Sequence, residues 1–148
     1  MGHFSEEDLK ASFGTIWPVH VETLTWFLIE CRRHFGGDLD RFLVLCVIGD
    51  RSLSRGKIRP DLTYAEFESG GAGLTEPVPL NTRSISDFSG IPRETVRRKV
   101  QELMDLGWVE RDERGYLRAT QKIRADLAPL TEASLKYIVT MAKTLASA

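Results

Sequence analysis

The sequence predicts a mainly α-helical fold carrying one small β-hairpin. Three observations predict it. Apolar residues recur at helical spacing through most of the chain. Only Trp108–Arg111 and Tyr116–Thr120 read as strands. Asp112-Glu-Arg-Gly115 lies between them as a hairpin turn.

The chain has 148 residues, enough for one domain or one small domain with helical additions. Apolar residues make up 42% and charged residues 28%, the balance of a globular protein. Twenty Lys and Arg against 21 Asp and Glu leave a net charge of −1. That excludes a histone-like cation and a polybasic membrane binder, but not nucleic-acid binding, which depends on where charge sits. Phe42–Gly49, the longest uncharged apolar-rich run, is far shorter than the ~20 residues of a membrane span. The acidic N-terminus does not read as a signal peptide, so a cytoplasmic location is expected. Cys31 and Cys46 then read as two reduced thiols.

In chain order, Ser5-Glu-Glu-Asp8 is a capped helix start, interrupted by Gly14 and Pro18. Val21, Leu24, Phe27, Leu28, Cys31 and Phe35 form a helical stripe that Gly36-Gly37 ends. Asp38 caps the next helix, which is apolar nearly all round and therefore reads as buried. Periodicity fades from Arg55 to Leu80, a long irregular connection with one short element at Thr63–Phe67. Asn81 caps a short helix carrying Ile85 and Phe88; Gly90 turns the chain, and Pro92 starts a second helix that stops at Gly107. After the hairpin come a helical segment at Ile123–Leu127, a break at Pro129, and a last helix at Thr131–Ala146. Leu135, Ile138, Val139, Ala142 and Leu145 form its apolar stripe.

Short helix, glycine turn, second helix and hairpin is the order of a winged helix-turn-helix. The first short helix and the buried helix after Asp38 brace the second helix from behind. At ~100° per residue, Val100 and Leu103 fall within ~40° of Val96, on an aliphatic inner face. Glu94, Arg97, Arg98 and Gln101 fall on the outer face, and Arg93 sits in the first turn. Arg, Gln and Glu are the residue types that read guanine, adenine and cytosine edges. Charge follows the same division: residues 1–50 carry −4, and residues 83–124 carry +3.

Residues 85–110 resemble the winged helix-turn-helix of bacterial transcription regulators. The Arg93-Glu-Thr-Val-x-Arg98 run is similar to the recognition helix of the Crp/Fnr family. There, residues matching Arg93, Glu94 and Arg98 contact bases and the one matching Thr95 contacts the backbone. The Gly90-Ile-Pro92 entry resembles the IclR group, and the whole layout resembles MarR regulators, whose terminal helices pair in a dimer. No cyclic-nucleotide barrel precedes the motif, and the connection at 55–80 is longer than the MarR pattern. The resemblance implies a homodimeric regulator of double-stranded DNA with a recognition helix at 92–106. Its segments would be a dimerisation segment at 1–37, a DNA-binding domain at 38–120 and a second dimerisation segment at 121–148.

The expected base readers are therefore Arg93, Glu94, Arg97 and Arg98, with Thr82, Ser84, Thr95 and Lys99 on phosphates. Arg114 at the hairpin tip, with Arg111 and Arg118, is the expected wing contact. The alternative is that these arginines solubilise a hairpin flanked by Glu110, Asp112 and Glu113, and that the basic helix face is simply solvated or binds an acidic protein partner. The aromatic N-terminus (Phe4, Phe13, Trp17, Trp26, Phe27, Phe35) reads as interface packing or as a pocket for a small-molecule effector beside the 55–80 connection. Cys31, beside Arg32 and Arg33, is a candidate redox thiol, whereas Cys46 reads as a core residue. His3, His20 and His34 are too scattered for a metal site with the cysteines, and neither metal nor cofactor is expected. No phosphate loop, zinc motif or nucleophile elbow is present, so no enzymatic activity is expected.

Overall fold

The computed structural model describes residues 4–52, 58–70 and 79–148. Much of the Gly- and Pro-rich part of the 55–80 connection thus lies outside the described residues. The chain is mainly helical with one two-stranded antiparallel hairpin, and it forms two compact units. One comprises Met1–Gly36 with Ala128–Ala148, the other Gly37–Leu127.

The first unit contains α1 (Glu6–Ala11), α2 (Phe13–His34) and α8 (Ala128–Ala146). Ser5 and Asp8 cap α1 reciprocally: Ser5 Oγ accepts from the Asp8 N–H at 3.2 Å, and Asp8 Oδ2 from the Ser5 N–H at 2.8 Å. The expected interruption at Gly14 and Pro18 does not occur. The break falls at Ser12, and Pro18 lies inside α2. Proline forfeits one ladder bond and crowds the carbonyl four residues back. On the same stretch of α2, Phe13 stacks on Trp17 at 5.1 Å, and Trp17 meets His20 at 5.2 Å. Gly36 and Gly37, at φ 60° and 87°, then end α2 in a conformation that side chains resist.

Helices α2 and α8 pack together. Tyr137 Oη lies 3.1 Å from His20 Nδ1, Phe27 stacks on Tyr137 at 6.0 Å, and Thr23 Oγ1 meets Met141 Sδ at 3.7 Å. The α2 stripe noted in the sequence is covered only in part: Phe27 makes this contact and Cys31 and Phe35 are buried, but other apolar side chains of both helices are not. Phe13, Trp17, Val21 and Leu28 on α2, and Leu135, Ile138 and Val139 on α8, are 37–58% exposed. Cys31 is fully buried, which removes the accessible thiolate that a redox thiol needs.

In the second unit Asp38 starts α3 (Leu39–Ser52), its Oδ1 accepting the Arg41 N–H at 2.9 Å. Val44, Leu45, Val47 and Ile48 are buried, but Leu39, Leu43 and Cys46 are exposed. The helix is thus one-sided, and Cys46 is not a core residue. The short element inside the long connection is α4 (Tyr64–Glu68), with Thr63 as its cap. Bonds to Glu66 from the Thr63 N–H and hydroxyl, and from Arg59, hold the Glu66 pKa down at about 2.

Next come α5 (Thr82–Ser89), α6 (Arg93–Asp105), β1 (Val109–Arg111), β2 (Leu117–Ala119) and α7 (Lys122–Asp126). Val96, Val100 and Leu103 of α6 are fully buried, as is Ile85 of α5. Helices α3, α5 and α6 pack on one another, with β1 against α6 and β2 against α3. Deleting a buried aliphatic side chain from such a core costs about 2–5 kcal/mol. The hairpin pairs Val109 with Ala119, Glu110 with Arg118 and Arg111 with Leu117. A further backbone bond of 2.9 Å, from the Leu117 N–H to the Leu80 carbonyl, ties the chain just before α5 to β2.

Candidate nucleic-acid interface

The geometry of α5 and α6 is fixed by a three-residue turn, Gly90-Ile91-Pro92. Gly90 adopts φ 75°, donates its N–H to the Ser86 carbonyl at 2.9 Å and ends α5. Ile91 is buried, and its carbonyl accepts from the Ser86 hydroxyl at 2.7 Å. Pro92 then provides an N-cap backbone for α6. The far end closes in a Schellman motif: Trp108 N–H bonds the Leu103 carbonyl at 3.0 Å, and Gly107 N–H that of Met104 at 2.9 Å. Helix α6 is thus braced behind and fixed at both ends.

Its other face is open. Arg93, Glu94, Arg97, Arg98 and Gln101 are exposed, and Thr95 is half-buried. Glu94 and Arg97 pair at 2.5–3.1 Å, a fork on the helix surface. Arg97's hydrogen bonds, then its charge, lower the Glu94 pKa, and Glu94 correspondingly raises that of Arg97. Arg93 and Arg98 form no ion pair among the described residues, although the charge of Arg98 adds a little to the lowering of the Glu94 pKa. Gln101 is engaged with Asp105 at 2.9 Å.

Lys99 does not belong to this face. It is buried, and its ammonium bonds Asp38 Oδ2 and both Glu102 oxygens, the latter at 3.4 Å. A lysine so placed cannot reach a phosphate, and the expected contact is corrected. The same helical wheel carries the signal: Lys99 falls ~60° from Val96, on the flank of the inner face.

At the start of α5, Thr82 is half-buried, and the Ser84 hydroxyl is committed to Asn81, accepting its N–H at 2.9 Å. Arg83, which sequence reasoning passed over, is exposed between them, with Asp87 at 3.9 Å. A cation in the first turn of the leading helix is the signal that could have marked it.

The wing arginines divide. Arg114 is exposed at the tip, 6.0 Å from the Tyr116 ring centre, and Arg111 is exposed on β1. Arg118 instead binds Glu110 across the strands, so its charge is locally offset. Asp112 shapes the tip: its Oδ1 accepts the Arg114 and Tyr116 N–H groups at 2.9 and 2.8 Å. Behind the hairpin the Trp108 indole N–H donates to Asp126 at 2.7 Å. Lys122, then Trp108, hold the Asp126 pKa low.

Among the described residues no three or more metal-ligating side chains cluster, and no helix is long and apolar enough to cross a membrane. No family model, curated protein or solved structure matches the chain.

Proposed function

We infer that the protein is a winged helix-turn-helix transcription regulator that binds double-stranded DNA sequence-specifically as a homodimer. One observation carries the reading. Helix α6 is buried along Val96, Val100 and Leu103, yet presents Arg93, Glu94, Arg97 and Arg98 to solvent. A helix gripped from behind and open along a base-reading face is what insertion into a major groove requires. The element order supports it: α3, the Leu80 segment bonded to β2, α5, α6, then the hairpin. Arg114 and Arg111 would meet the backbone or minor groove beside it. Arg118, neutralised by Glu110, contributes little.

The second copy follows from the exposed stripes on α2 and α8. A dimer would place two α6 helices in successive major grooves, about one helical turn apart. Overall near-neutrality limits non-specific attraction, leaving a few arginines and two-fold repetition to supply affinity.

Selection from random duplex DNA at two salt concentrations tests the reading. The expected result is an enriched palindrome whose binding weakens steeply with salt. Enrichment of nothing would overturn it and favour a protein-interaction module with an acidic partner.

A further inference from the structure

Helices α2 and α8 enclose an open groove of about 620 Å³, within the range of small-molecule sites. Trp26, Phe27 and Tyr137 are its aromatic lining residues, and Glu22, Glu30 and Lys136 its charged ones. At ~100° per residue, Glu22, Trp26 and Glu30 lie ~20–100° to one side of Thr23. Phe13, Trp17, Val21 and Leu28 lie ~80–160° to the other side. The groove and the exposed apolar stripe of α2 are therefore separate surfaces.

The lining carries two carboxylates and one ammonium, and the carboxylate left open to a ligand is that of Glu22. Glu30 is also held by Arg33 at 2.7 Å. Glu22 forms no ion pair among the described residues. Trp26 lies one helical turn from Glu22, so a cation over the indole would meet that carboxylate. Indole is the strongest aromatic partner for a cation, and a ring stacked beside it needs an apolar body on the ligand. Tyr137, oriented by its contact with His20 at 3.1 Å, offers a third aromatic surface.

The geometry points to a binding site for a monovalent organic cation with an aromatic or bulky apolar body. It uses α2 and α8 alone, so it stands or falls independently of the nucleic-acid reading. The test is titration of the full chain with benzyltrimethylammonium, followed through the indole N–H resonances. Trp26 is identified by its loss in Trp26→Leu, a change at a side chain 59% exposed.

The expected result is a saturable shift of the Trp26 signal. Affinity should fall about five- to tenfold in Glu22→Gln, and similarly in Trp26→Leu when read by calorimetry. Phenylacetate and benzyl alcohol should bind more weakly still. Equal binding of the anion or the neutral alcohol would overturn the site, as would unchanged affinity in Glu22→Gln. Shifts that follow protein concentration rather than the cation would mean that a second copy covers the groove, and would also overturn it.

Discussion

Lys99 on α6 is joined to Asp38 at the start of α3, across 61 residues of sequence, the lysine buried and the carboxylate half-buried. Glu102 and Arg41 complete the cluster, with Arg41 Nη1 3.3 Å from Glu102. Basic residues on one helix therefore do two jobs: Lys99 fixes α6 to its support, while Arg93 and Arg98 stay exposed and form no ion pair among the described residues.

Lys99→Met should lower unfolding free energy by about 1–3 kcal/mol, because it leaves a partly buried carboxylate short of a partner. The salt dependence of DNA binding should be unchanged in urea-free buffer. A phosphate contact would instead reduce the log–log slope by about 0.9. Chemical denaturation and salt titration of the same variant separate the two.

Burial works to raise the Asp38 pKa, but bonds from Lys99 and the Arg41 N–H outweigh it, and the net shift is downward. A carboxyl depressed in the folded state stabilises fully above its unfolded value of about 4. That contribution is lost as pH falls through the lower folded value. Urea midpoints between about pH 6 and 2.5 should therefore fall less steeply in Asp38→Asn than in the parent. Equal slopes would count against the cluster.

Glu94→Gln releases Arg97 and removes a negative charge from the open face of α6. Binding to unrelated duplexes should strengthen, while discrimination at one base pair of the selected site falls by about 1–3 kcal/mol. Competition binding with single-base variants measures both. No change in either would remove Glu94 from the interface.

Much of this was legible because the decisive signals are local. Asn81, Gly90, Pro92 and Gly107 punctuate α5 and α6 through backbone chemistry confined to a few residues, and Val96, Val100 and Leu103 set the buried face by spacing alone. Asp112 and Gly115 mark the hairpin in the same way. What escaped was set by distant partners. The Lys99–Asp38 contact depends on how α3 packs against α6, and the Arg118–Glu110 pair depends on strand register. Pro18 misled because a local breaker rule does not see the rest of α2, which continues through it. The burial of Cys31 and the exposure of Cys46 likewise depend on which side of each helix the fold covers.

Ile138→Glu, at an exposed position of α8, should leave far-UV circular dichroism intact and convert a dimer into a monomer by light scattering. A parent chain that is already monomeric at micromolar concentration would contradict the homodimer.

Arg98→Ala tests the central claim most directly, because this side chain is exposed, carries no ion pair among the described residues and serves no visible packing role. The measurement is the affinity ratio between the selected duplex and a scrambled one, parent against variant, at fixed salt. A base-reading arginine predicts that the ratio falls by about 5- to 150-fold with the thermal midpoint unchanged. An unchanged ratio and unchanged affinity would contradict the assignment of α6 as the reading helix.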